Sequence, residues 1–224
     1  MNDKLVPKIR IQTCNDAPIR ADGDFVLYWM IAFRRLTSNF SLQRAVELAV
    51  ELRKPLVIFE PLRVGYPWAS DRIHRFVIDG MAENGARIAA LKNPGVRYFP
   101  YVEPQHDTDK GLLAALAQRA CVVVTDDFPS FFLPRMVSAA AAKLPVRLES
   151  VDSNGLLPLR ATDRVFTTAF SFRAFLQKQL PAHLEDFPKA NPLKDARLPP
   201  LKSLPFEITT PRPTALPTLR AGEL

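Results

Sequence analysis

ACVVVTDD, at residues 120–127, decides the fold. Its first six residues carry no charge and include three consecutive valines, which are strong strand formers. An apolar run that does not alternate with polar residues belongs to a strand buried on both faces, as in a parallel sheet. The same reading applies to FVLYWMI at 25–31 and to LVIFE at 56–60, which is bounded by Pro55 and Pro61. VRYFPYV, after Gly95, is a further strand, and Pro100 within it argues for the sheet edge. Residues 146–151 supply a fifth, weaker one.

Helical patterns separate these runs. Ser38 or Asn39 caps a helix whose apolar face is Phe40, Leu42, Ala45, Val46, Ala49, Val50 and Leu52. Ser70 and Asp71 open a longer one, with Ile73, Phe76, Val77, Gly80, Met81 and Ile88 at three- and four-residue spacing. Shorter helices are expected over 108–119, from about 130 to 143, and over 166–180. Strands alternating with helices predict an α/β, doubly wound, mainly five-stranded parallel sheet. The expected organisation is an irregular segment over 1–24, an α/β domain over 25–187, and a proline-rich linker or surface-hugging tail over 188–224. Eight of the 21 prolines fall in that last stretch, which excludes regular helix or central strand there.

Composition narrows the function. The 224 residues are 47% hydrophobic and 24% charged, enough for an ample core without metal or disulfide staples. No apolar run reaches the ~20 residues of a membrane span, and the N-terminus has no signal-peptide apolar stretch. Cys14 and Cys121 stand far apart with no CxxC or Cys/His cluster, against a disulfide scaffold or a zinc finger. These features predict a soluble, cytoplasmic protein in a reducing compartment. The net charge of +7 is diffuse, so it permits nucleic-acid contact without pointing to it. Neither GxGxxG nor GxxxxGK[ST] occurs.

Ligands of doubly wound sheets bind beyond the carboxyl ends of the strands. The residues there with binding chemistry form the candidate cofactor set: Met30, Arg34, Glu60, Asp126, Asp127, Phe128, Asp152 and Asn154. Asp126 and Asp127 either hydrogen-bond a ring or ribose, or bond backbone donors of their own turn. Arg34 and Arg35 either clamp an anionic cofactor or nucleic-acid phosphates, or face solvent. Glu60 and Arg63 pair with each other or with a ligand, the plain ion pair being favoured. Asp152 and Asn154 suit a turn with Gly155. Phe128, Phe131 and Phe132 either stack on a planar ring or belong to the core, and Trp29 reads as core. The histidines at 74, 106 and 183 have no nucleophile beside them, so no catalytic residue and no metal ligand is assigned.

Three segments carry a resemblance. VLYWM with a following arginine and NxxLQxA helix (Asn39, Leu42, Gln43, Ala45), then VVVTDDFPSFFLPR at 122–135, then VDSNGLLPL at 151–159, resemble in the same order the N-terminal α/β domain of class II DNA photolyases of the cryptochrome/photolyase family. The departures are Phe40 where that family has tryptophan, IAFRR at 31–35 in place of a more polar charged turn, and a VDxHN segment whose histidine is replaced, leaving Ser153-Asn154-Gly155; they bear on ligand identity more than on fold. The resemblance implies a Rossmann-like domain able to hold an antenna chromophore of the deazaflavin type. It also implies that FAD, the flipping of a pyrimidine dimer and the electron that splits it belong to a helical half. That half is expected to be absent from this chain, which would then be inactive alone and meet damaged DNA only through the complete protein, without a membrane. Asp152 and Asn154 would fall at the interdomain connection. The alternative is a stand-alone adenine-nucleotide-binding module of the same fold.

Overall fold

Apolar runs buried on both faces pair side by side, and in the computed structural model, which describes residues 4–105 and 111–202, they do so in parallel. The strands are β1 (Ile11–Thr13), β2 (Phe25–Trp29), β3 (Leu56–Leu62), β4 (Val96–Val102), β5 (Ala120–Asp126) and β6 (Leu148–Val151). The helices are α1 (Phe40–Leu52), α2 (Asp71–Leu91), α3 (Leu112–Ala117), α4 (Leu133–Ala141) and α5 (Ala169–Gln179). Strand order is β1-β6-β5-β2-β3-β4, with β1 alone antiparallel. The chain is therefore a doubly wound α/β domain, and the direction of winding reverses between β2 and β5.

Period-two alternation divides the core. Val26, Tyr28 and Met30 face one layer with Leu42, Ala45 and Leu48 of α1 and Ile88 of α2. Phe25, Leu27 and Trp29 face the other with Leu116 and Ala117 of α3, flanked by Leu133 and Met136 of α4. Every residue of β2 and β5 is buried, as central parallel strands require. β4 is the outer edge, which accommodates Pro100.

Local chemistry sets the helix ends. Asn39 caps α1 by accepting the Leu42 N–H at 3.1 Å, and Ser70 caps α2 by accepting that of Ile73. α4 starts at Leu133, not near Ser130, because Phe131 sits at φ 60°, outside the helical region. The short helix before β5 starts at Leu112; the expected start at Thr108 lies outside the described residues, as does His106.

Two segments add to the sheet and its cover. Ile11–Thr13 pairs with β6, and just before it Arg10 is fully buried, donating to the carbonyls of Gly155 (2.8 Å) and Leu156 (2.7 Å) with Phe40 beneath its guanidinium. Residues 188–202 hug the α1/α2 layer: Leu193 and Leu198 are buried there, and Leu201 N–H bonds the Pro94 carbonyl at 3.2 Å. Residues 203–224 of the expected tail lie outside the described residues. Among the described residues no helix is long and apolar enough to cross a membrane.

Gly95 permits this packing: a Cβ there would lie 2.5–2.7 Å from Leu198, two of the contacts being backbone. Gly95→Ala is expected to lower stability by about 1–3 kcal/mol and expose the 188–202 segment to protease. Gly80→Ala, in open space on α2, is expected to raise stability by about 0.5–1 kcal/mol. Urea denaturation with limited proteolysis of both variants checks the pair.

Candidate functional site

Where β2 and β5 diverge, the chain must satisfy the backbone N–H groups of the turn that leaves β2. Asp126, the last residue of β5, does this. Its Oδ2 accepts the N–H groups of Ile31, Ala32 and Phe33 at 2.8–2.9 Å, and its Oδ1 accepts the Tyr28 hydroxyl at 2.7 Å. The carboxylate is fully buried, and four donors replace its hydration. Burial, and then the adjacent charge, push the Tyr28 phenol well above its usual range, so it stays a donor. Asn39 donates to the same hydroxyl at 3.0 Å, which ties the start of α1 to this knot.

Glu60 forms a second buried centre. Arg34 reaches its Oε1 at 3.1 Å, while Asn84 (3.1 Å) and Tyr98 (2.6 Å) share its Oε2. Arg34 also bonds the Pro61 carbonyl at 2.7 Å. The sequence reading favoured Glu60 with Arg63; the cation that meets Glu60 is Arg34. At the end of β6, Asp152 pairs with Arg10 and accepts from Leu159 N–H and from Asn154, whose side chain donates to the Asp127 carbonyl. Asp127 meets Arg160, yet burial outweighs that cation and holds its carboxyl above the usual range. Met30 is buried in the α1 layer, and Phe128 packs edge-on against Phe33.

Beside these knots lies a cavity of about 410 Å³, within the roughly 300–1,000 Å³ of small-molecule sites. It opens at the carboxyl ends of β2 and β3, among the N-terminal turns of α2, α3 and α4. Six aromatic residues line it: Trp29 and Phe59 from the sheet, Tyr66 and Trp68 from the loop after β3, Phe131 and Phe132 from the loop after β5. Among the described residues Arg34 and Arg63 are its cations. Of the eight candidate residues only Arg34 lines this cavity; Asp126, Asp127 and Phe128 instead border a smaller polar hollow of about 280 Å³ that includes Cys14 and Ser150. Trp29 is both core and cavity wall. Sequence alone did not assign Tyr66 and Trp68, for which a Tyr-Pro-Trp run in a loop was the available signal.

Trp68 and Phe131 both occupy left-handed backbone, at φ 64° and 60°, a conformation that costs a bulky residue about 1–3 kcal/mol. Their rings meet edge-to-face with centroids 6.1 Å apart. Deeper in, Tyr66 contacts Phe132 (5.8 Å) and His74 (5.5 Å). Burial raises the Tyr66 phenol and lowers the His74 imidazole from their ordinary values, leaving both neutral near pH 7. Among the described residues no group of three or more His, Cys, Asp or Glu is placed to hold a metal ion, and both cysteines are free.

Asp126→Asn replaces an acceptor with an amide that also presents N–H groups to N–H groups. It is expected to lower unfolding free energy by about 2–4 kcal/mol. The exposed control Glu83→Gln is expected to stay within about 0.5 kcal/mol, both read by urea denaturation.

A scan against protein-family models finds no match for this chain. Among curated proteins it is similar to the deoxyribodipyrimidine photo-lyase of Methanothermobacter thermautotrophicus, 29% identical over 172 residues that make up 76% of this chain and 37% of that protein. It is also similar to the deoxyribodipyrimidine photo-lyase of Arabidopsis thaliana, 26% identical over 172 residues, or 75% of this chain and 34% of that protein. The chain spans little more than a third of the length of these relatives, and over three quarters of its own residues its likeness is to deoxyribodipyrimidine photo-lyases.

Proposed function

We propose that this domain is the antenna-type α/β half of a class II-like photolyase and that it contributes to light-driven repair of pyrimidine dimers in DNA. In this reading the cavity holds a flat chromophore of the deazaflavin type. The observation that carries it is the cavity wall, six aromatic residues with one pinned guanidinium, in a chain similar to photo-lyases over 172 residues.

The residues fit such a group. A fused ring system asks for apolar walls and a few fixed donors, and the wall offers both. Two of the five guanidinium N–H donors of Arg34 are used by Glu60 and the Pro61 carbonyl, so others remain for a carbonyl or phenolate oxygen on a ring edge. Because Glu60 already balances its charge, Arg34 orients a ligand more than it neutralises one. The apolar side chains exclude water from the ring faces. When bound, the chromophore supplies light absorption and passes excitation energy to a flavin.

FAD, dimer recognition and electron transfer belong, in this reading, to a helical domain that packs on this one, and damaged DNA is met through the complete protein. α5 supports that partnership. It has no buried side chain, and Phe170 and the nearby Val165 are more than four-fifths exposed, as suits a surface made to be covered.

Calorimetric titration of residues 1–224 with a deazaflavin, ATP and AMP tests the site. The deazaflavin is expected to bind one-to-one and the nucleotides not to bind. Arg34→Lys keeps a cation beside Glu60 but loses the planar fork, and is expected to weaken binding about tenfold. Tight nucleotide binding without chromophore binding overturns the reading in favour of a nucleotide module. Illuminated with free FAD and dimer-containing DNA, residues 1–224 are expected to leave the dimers intact, as read by chromatography of the digested DNA.

A further inference from the structure

We infer that Trp68 and Phe131 form a two-ring roof that makes the cavity selective for flat, polycyclic ligands. The inference rests on the chromophore-site reading and adds to it the residues that set specificity. Among the described residues five non-glycine positions have positive φ: Ser38, Arg53, Trp68, Lys92 and Phe131. Arg53 and Lys92 are the C-caps of α1 and α2, where left-handed backbone ends a helix. Ser38 stands directly before the Asn39 cap, its carbonyl held by the Arg35 guanidinium. Phe131, like Ser38, stands directly before a helix cap, Phe132 of α4, and Trp68 stands two residues before Ser70 of α2; what sets these two apart is that each puts a large aromatic ring on left-handed backbone.

Both line the cavity, and they come from loops on opposite sides of it, some sixty residues apart in sequence. Neither ring is a core element: Trp68 is 76% exposed and Phe131 71% exposed, although both are large and apolar. The helix starts account for a turn at each position but not for an exposed aromatic ring on it, since glycine or a small polar residue would serve either turn better. What the geometry does provide is a pair of rings in mutual contact over an aromatic-walled cavity, with Tyr66 and Phe132 bridging the same loops further in. A flat ring system beneath them buries the apolar area that now faces water and keeps contact across its whole face. A globular apolar molecule of equal size reaches only part of that surface.

Calorimetry with riboflavin and 5-deazariboflavin as flat probes, and adamantane carboxylate as the globular one, separates the possibilities. Wild type is expected to bind the flat probes. Trp68→Ala/Phe131→Ala is expected to weaken them at least tenfold, while adamantane carboxylate changes less than twofold. Trp68→Phe is expected to stay within threefold of wild type. Trp68→Gly is expected to raise Tm while weakening the flat probes, because it removes strain and ring together. Binding of the flat probes by wild type but equally by the double variant overturns the roof and leaves the site reading intact. No binding by wild type overturns both. A collapse of Tm in the double variant makes the rings structural and overturns the roof.

Discussion

One buried carboxylate organises the carboxyl edge of this sheet. A doubly wound sheet opens a crevice where its winding reverses, and the backbone leaving the first strand there has N–H groups with no strand to bond. Asp126 takes three of them on a single oxygen and, through Tyr28, reaches the cap of α1. The exit of β2, the start of α1 and the placement of Ile31 and Arg34 at the cavity wall all follow from that group. Its charge is tolerated in a dry site because its donors are fixed and close.

The same economy governs the other charged residues on this edge. A charge removed from water must be matched, and Glu60, Asp127 and Asp152 are each matched by an arginine of the chain itself. They brace the loops after β3, β5 and β6. The cavity wall is consequently mostly aromatic and aliphatic, with Arg63 and the Glu60-paired Arg34 as cations among its described residues.

The fold was legible in the sequence because parallel strands buried on both faces read as unbroken apolar runs. The caps at Asn39 and Ser70 and the edge position of the Pro100 strand were legible for equally local reasons. Ile11–Thr13 was not: three residues pairing on one side leave no periodicity, and nothing nearby announces the burial of Arg10. The proline content of 188–202 foretold the absence of helix and strand but not the seat of Leu198 against Gly95, a contact that only the folded chain creates. The cavity was the least legible part. Charged residues after strands attract attention in a sequence, whereas the wall is made by rings from separate loops, and no local spacing reveals that Tyr66 meets Phe132 or Trp68 meets Phe131.

The way this edge is filled also bears on the choice between a chromophore and a nucleotide. In doubly wound nucleotide binders the phosphates sit at the reversal point, on free N–H groups of a glycine-rich turn and the first turn of the following helix. Here the turn over residues 30–39 contains no glycine, and its N–H groups at 31–33 are already bonded to Asp126. At the start of α1, the N–H of Phe40 bonds Ser153 Oγ and that of Leu42 bonds Asn39 Oδ1. Side chains thus take up N–H groups of the kind that hold a pyrophosphate in such binders, and displacing a buried carboxylate to free them would leave that charge unpaired. What stays open to one side is the aromatic cavity, which on the proposed reading receives a ring.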